Sequence, residues 1–244
     1  MRAKIHLTSI NHVVLPFDYQ YWLASMLYRK LADADSDLAA RYHLKTGCKF
    51  HTFSWIHPED ECSVTRDGLC FSSGWFVLSC PDAEYIRGFA EGLLQGCECS
   101  LGPVSFVIDS IEILEQPVFT DQAVFRTLSP LYLKTLSKND QGLLQERDLY
   151  PRDGKFYENV HMNLVKKYEE YHQTVLGDHF FEIREISRFK AKKVKVKDSY
   201  RRCSLVDHMV VDAPSSLLEF AYDAGLGEKT AMGFGCMECV HSGG

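Results

Sequence analysis

The sequence predicts an α+β protein in which the order strand, helix, strand, strand, helix, strand is run twice. Three observations carry that prediction. Apolar residues alternate with polar ones at the period of a half-buried strand near the N-terminus, while several later stretches carry the 3.6-residue period of an amphipathic helix. The same order of patterns also lies on either side of Gln116 and Pro117, although the two halves share no obvious sequence identity.

The elements follow in order. Ala3, Ile5 and Leu7 alternate with Lys4, His6 and Thr8, which reads as a strand. After Pro16, Asp18 is the expected N-cap of a helix with Leu23, Leu27 and Leu31 on one face, and Ser36 or Asp37 opens a second helix through Tyr42. Residues 48–56 and 69–79 are rich in aromatic and β-branched side chains and read as two strands. Pro81 and Asp82 start a helix whose apolar positions are Ile86, Phe89, Ala90, Leu93 and Leu94, and residues 104–114 return to strand. In the second half, residues 123–136 look extended and Asn139 begins a polar connection to Lys155. Tyr157, Val160, Leu164, Tyr168, Tyr171 and Val175 mark a helix stopped by Gly177. Two strands lie in 180–197 and 203–213, Ser216 with Glu219 forms a capping box, and 234–240 closes the unit as a strand. Each half is thus a ferredoxin-like (RRM-like) βαββαβ unit, one over 1–116 and one over 117–240, with a disordered tail at 241–244.

Composition excludes some classes. With 45% hydrophobic and 25% charged residues in 244, the chain is that of a globular protein. No run approaches eighteen apolar residues and no signal-peptide core is present, so a cytoplasmic protein without a membrane partner is expected. Nine cysteines without a framework point to reduced thiols. The net charge of -6 would argue against a nucleic acid, but its distribution matters more. Arg184, Arg188, Lys190, Lys192, Lys193, Lys195, Lys197, Arg201 and Arg202 are opposed locally only by Glu185 and Asp198, a basic stripe on an acidic body. Phosphate contacts are local and screening acts over about 8 to 10 Å, so such a stripe can serve a polyanion. A regular strand would split these lysines between two faces, and a bulge near Lys192 and Lys193 would gather them.

Near the C-terminus, Gly225, Gly227, Gly233 and Gly235 bracket Lys229. Free amides in such a loop can cradle anions. The stretch lacks the Gly-Lys-Ser/Thr of a Walker loop and runs from helix to strand, which points to a polymer backbone rather than a mononucleotide. Cys236 and Cys239, with Cys97 and Cys99, invite a metal reading. Their odd spacing in a strand sends the first pair to opposite faces, and no metal or other cofactor is assigned. His51 and His57, near Trp55, have no carboxylate beside them and are read as core or surface histidines with at most a minor RNA contact.

Three separated stretches resemble one family. MRAKIHL followed by LPFDYQYWLASMLYRKL, then RTLSPLYL at 126–133, then GLGEKTAMGFGCMEC are similar to the CRISPR-associated repeat-processing endoribonucleases, the Cas6 family of the RAMP superfamily. The resemblance implies two ferredoxin-like domains side by side. It also implies metal-independent cleavage of CRISPR precursor transcripts within the repeat, leaving a 5′-hydroxyl and a 2′,3′-cyclic phosphate. The partner is then pre-crRNA, with other CRISPR effector subunits and a homodimer left open. A non-catalytic RAMP subunit that holds crRNA in an effector complex is the alternative. On the family's pattern the catalytic positions are Tyr28, His43 in RYHLKTG and Lys49 in GCKF.

The chemistry suits those residue types. RNA self-cleavage needs a base for the 2′-hydroxyl proton, an acid for the leaving 5′-oxygen and a cation for the phosphoryl charge. His43 is assigned as base, Lys49 as electrostatic stabiliser, and Tyr28 as acid or positioning group. Each also has a structural reading: Tyr28 as a core aromatic, His43 as a C-terminal helix charge, Lys49 as a surface cation.

Overall fold

Alternation of Ala3, Ile5 and Leu7, all fully buried, sets β1 (Arg2–Leu15) into the middle of a sheet. The structure, a computed structural model, describes residues 1–138, 141–177 and 180–240; the tail at 241–244 and Asn139 lie outside them. After β1 come α1 (Gln20–Ala34), α2 (Ser36–Leu44), β2 (Thr52–Phe53), β3 (His57–Pro58), β4 (Ser63–Val64), β5 (Leu69–Ser79), α3 (Ala83–Leu94), β6 (Glu98–Leu101) and β7 (Val104–Leu114). The sheet runs β2-β5-β1-β7-β6, with β3 and β4 also pairing with β5.

The second half holds β8 (Gln122–Thr127), β9 (Lys134–Lys138), β10 (Leu144–Asp148), α4 (Gly154–His172), β11 (Glu182–Val196), β12 (Ser199–Asp212), α5 (Ser215–Ala224) and β13 (Met237–Cys239). Its main sheet runs β11-β12-β8-β13, while β9 and β10 form a separate hairpin. In both units the four strands of the motif therefore lie in the spatial order second, third, first, fourth. This is the tandem ferredoxin-like arrangement.

Several local expectations need correction. Asp18 is not an N-cap: α1 begins at Gln20, the N-cap position belongs to Tyr19 without a side-chain cap, and Asp18 instead pairs with Lys195 at 3.3 Å. The cap of α2 is Asp35, whose carboxylate accepts from the Asp37 and Leu38 amides at 2.9 Å. Residues 48–56 do not form one strand; only Thr52 and Phe53 pair with β5 there, and the rest is irregular chain that delivers side chains to the site below. The α4 helix ends at His172, with Gln173 in the left-handed conformation, before Val175 and Gly177. No Ser216 capping box forms, because α5 already starts at Ser215 behind Pro214. The stretch read as a polar connection contains β10.

The two units share their cores. The Arg2 guanidinium, buried, crosses from β1 to donate to the carbonyls of Tyr222 (3.0 Å) and Met237 (2.6 Å) and stacks 3.8 Å over the Tyr222 ring. Val194 and Val196 of β11 bury themselves with Tyr132, Cys203 and Phe234, and Trp55 of the first unit packs on that cluster.

Candidate active site

The site is built where α1, α2 and the irregular segment after α2 meet. Leu23, Leu27 and Leu31 turn α1 inward, which leaves Tyr28 on its flank, half-buried. The last turn of α2 carries His43, exposed, and its ring meets the Tyr28 ring edge to face with centroids 5.1 Å apart. Lys49 returns to the same place: its ammonium donates to the carbonyls of Tyr42 (2.6 Å) and His43 (2.9 Å) at the end of α2. A cation there is favoured by the unpaired carbonyls of a helix C-terminus. Tyr28, His43 and Lys49, twenty-one residues apart in sequence, are thus brought together.

Burial tunes two of these groups. Desolvation, and next the Cys80 thiol, push the Tyr28 hydroxyl up to about 12, so it keeps its proton at neutral pH. Partial burial, aided by Lys45, lowers Lys49 below the usual lysine range.

Sequence reasoning set His51 aside, yet it touches the site. Its Nε2 lies 3.3 Å from the Tyr28 hydroxyl, and its ring, 1% exposed, stacks on Tyr85 with centroids 4.6 Å apart. Burial first, then Lys49 and Lys167, push it down to about 3, so the ring is neutral. The only signal in the sequence is its position two residues after Lys49.

The segment is braced from the second unit. Glu170 on α4 accepts from the Cys48 amide and pairs with Lys45 at 3.7 Å, and Tyr171 meets Phe50 at 5.2 Å. Lys167, also on α4 and buried, donates to the carbonyls of Gly225 (3.2 Å) and Gly227 (2.7 Å), and burial pushes its ammonium down to about 8.

The glycine loop differs from an open phosphate cradle. The amides of Gly225, Gly233 and Gly235 donate to the carbonyls of Ala221, Thr230 and Pro130, so they are already satisfied within the chain. Glycine is demanded by packing instead. Gly233 has φ +79° and a Cβ there would lie 2.5 Å from the Phe53 ring; at Gly235, φ +72°, it would lie 1.9 Å from the Leu226 carbonyl oxygen. Lys229, exposed and left-handed, stands out from this loop. Arg201 and Lys134 lie near enough to lower its affinity for a proton, after desolvation, so three cations gather there beside Glu146 and Glu228. Lys134 was not singled out by the sequence reading.

The basic stripe is not one patch. The register shifts of β11 against β12 fall between Ile183 and Phe189, and pairing is regular from Phe189 to Val196, so no bulge gathers the lysines at Lys192 and Lys193. Arg184 is held by Asp212 (2.6 Å) and Glu182 (3.0 Å) at one end of the strand, roughly 35 Å from Lys195 at about 3.3 Å a residue. Arg188, Lys190, Lys192 and Arg202 are exposed along the hairpin, and Lys193 lies 4.3 Å over the Tyr200 ring. At the turn, Lys197 lies 4.9 Å over the Tyr21 ring of α1, and Arg201 packs 5.8 Å from the Tyr132 ring. Cys236 is buried and accepts from Arg2 at 3.5 Å, and burial pushes it up to about 11, which keeps it a thiol. Among the described residues no group of three or more His, Cys, Asp or Glu side chains is placed to hold a metal ion, and no helix is long and apolar enough to cross a membrane.

Paired ferredoxin-like units closed by a glycine-rich loop give the chain a RAMP-type architecture. The chain belongs to the Cas6 family: residues 14–112 match "CRISPR-associated protein Cas6, N-terminal" and 114–239 match "CRISPR associated protein Cas6, C-terminal". A relative from Methanocaldococcus jannaschii, "CRISPR-associated endoribonuclease Cas6 1", is 36% identical over 96% of this chain and 91% of its own length. A solved "CRISPR associated protein Cas6" is 35% identical with a TM-score of 0.86, covering 99% of both chains. A second solved structure, titled "An RAMP protein binding different RNA substrates", is 27% identical with a TM-score of 0.88 over 99% of this chain and 100% of that one.

Proposed function

We propose that this protein is an endoribonuclease that processes CRISPR repeat RNA, cutting without a metal ion by attack of a ribose 2′-hydroxyl on the adjacent phosphate. His43 takes the 2′-hydroxyl proton as the new P–O2′ bond forms. Lys49 offsets the charge growing on the phosphoryl oxygens, and Tyr28 serves the leaving 5′-oxygen as acid or positioning group as the P–O5′ bond breaks. The products are a 2′,3′-cyclic phosphate and a 5′-hydroxyl. The observation that carries this reading is the edge-to-face meeting of Tyr28 and His43 at 5.1 Å with the Lys49 ammonium on the His43 carbonyl.

The exposed cations of the β11–β12 hairpin, with Lys229, Arg201 and Lys134, supply the electrostatic footprint for the RNA backbone. The glycine loop contributes by holding Lys229 and the domain junction in place, not through the amides of Gly225, Gly233 and Gly235.

Incubation of the protein with cognate repeat RNA in EDTA, followed by end-group determination, tests the reading. A cyclic phosphate and a 5′-hydroxyl are expected. Tight binding without cleavage would favour the non-catalytic crRNA-holding role, and cleavage abolished by EDTA would sink metal independence.

A further inference from the structure

We infer that His51 is a positioning residue whose Nε2–H donates to the Tyr28 oxygen, turning the phenolic hydrogen toward the His43 side of the site so that Tyr28 acts as proton donor. The inference rests on the endoribonuclease reading and deepens it, because it decides a role that the cluster of three leaves open.

The tautomer follows from the hydrogen-bond network. His51 has two ring nitrogens; Nε2 faces the Tyr28 hydroxyl at 3.3 Å, and Nδ1 is buried without a partner. A proton on Nδ1 would be a buried donor with nothing to accept it, whereas a bare Nδ1 lone pair is only an under-used acceptor, and orphaned buried donors are the rarer defect in folded proteins. Burial, with the nearby cations Lys49 and Lys167, keeps the ring neutral, so only one of the two nitrogens carries a proton. The ring cannot swing away from this task. Tyr85 stacks on one face, interplanar angle 19°, while Tyr28 and Tyr42 meet it edge-on at 5.6 and 6.3 Å.

With Nε2–H donating, the Tyr28 oxygen uses a lone pair on His51 and keeps its own hydrogen for another acceptor. His43 borders the same ring from the exposed side, where RNA would lie. In the cleavage step the 2′-hydroxyl proton passes to His43, the P–O2′ bond forms, the P–O5′ bond breaks, and the phenolic proton passes to O5′. The resulting phenolate still accepts from His51, and it regains a proton from solvent as His43 returns one. No other reactant is needed.

The test compares Tyr28→Phe, His51→Phe, His51→Gln and the double variant Tyr28→Phe/His51→Phe in single-turnover cleavage of repeat RNA at saturating protein, with thermal melting of each. His51→Phe keeps the ring against Tyr85 but removes the donor, and a rate loss of about 10- to 100-fold is expected from the misplaced phenol. His51→Gln, whose side-chain amide can replace the Nε2–H, should recover most of it. In the Tyr28→Phe background His51→Phe should cost nothing further. Equal losses in both backgrounds, or a Gln variant no better than Phe, would overturn the inference, since a purely structural role predicts both.

A second measurement stands apart from catalysis: ¹⁵N chemical shifts of histidine-labelled wild-type protein should show His51 neutral with its proton on Nε2. A proton on Nδ1 overturns the assignment even in a protein that cleaves. If the wild type cuts no repeat RNA while His51 carries its proton on Nε2, the endoribonuclease reading fails and takes the catalytic positioning role with it, while the hydrogen bond from His51 to Tyr28 stands.

Discussion

Thr52 donates its hydroxyl hydrogen to the carbonyl oxygen of Phe234 across 2.8 Å, so the edge strand of the first sheet and the glycine loop of the second are joined by a buried hydrogen bond. One residue after Thr52 and one before Phe234, Phe53 lies against Gly233.

Replacing Gly233 by valine should therefore damage folding before it damages RNA binding. A side chain at φ +79° is strained by about 1 to 2 kcal/mol before any contact is counted, and here it would also strike the Phe53 ring. A loss of more than about 2 kcal/mol in urea unfolding is expected. A variant of wild-type stability that binds RNA weakly would instead point to direct backbone contact by the loop.

His43→Ala should lower single-turnover cleavage by roughly 10²- to 10⁴-fold with RNA affinity nearly unchanged. Lys49→Ala should cost about 10²- to 10³-fold through the lost phosphoryl contact. It also strips the carbonyls of Tyr42 and His43 of their donor, so its melting temperature should fall, unlike that of His43→Ala. Wild-type rates in either variant would move the chemistry elsewhere.

Lys167→Met tests the brace beneath the loop. It leaves the buried carbonyls of Gly225 and Gly227 without the Lys167 donor, for a loss of about 1 to 3 kcal/mol. Denaturant titration measures it, and a stability gain would mean that desolvation of the ammonium outweighs its hydrogen bonds.

Acid should destabilise the protein through His51. Its folded value near 3 lies below the ordinary histidine value of about 6.5, so between these limits the unfolded chain takes up a proton that the native ring refuses. This contribution to stability is present above about pH 6.5 and is lost as pH falls, by at most about 1.4 kcal/mol per unit. Unfolding curves for wild type and His51→Gln at pH 7, 5.5 and 4.5 should diverge, the variant being flatter; parallel curves would contradict a buried neutral ring.

Much of this was legible in the sequence because it depends on period. Ala3, Ile5 and Leu7 announced the central strand, Ile86 and Phe89 announced α3, and the matching order of the halves gave the two sheets. Tyr28, His43 and Lys49 were reached through resemblance, and the structure brings them together, but nothing local in the sequence says that a flank of α1 faces the end of α2. Residues 48–56 misled because apolar content mimics a strand even when the segment is buried by contacts from α4 rather than by a ladder. The glycines of the loop announced unusual backbone correctly; whether the Gly235 amide faced ligand or protein depended on Pro130, about a hundred residues away. His51 was invisible as a partner because its significance lies in Tyr28 and Tyr85, neither of them adjacent in the chain.

The reach of Arg2 into the second unit sets a schedule for the polypeptide as it is made. Arg2 finds its acceptors on Tyr222 and Met237, so these hydrogen bonds at the end of the first sheet's central strand cannot form until the second unit has been made through β13. The first unit can collapse early around Ile5 and Leu7, but it is completed only when β13 of the second unit is in place. Splitting the chain between the two units would thus leave each fragment without side chains that the other supplies to its interior.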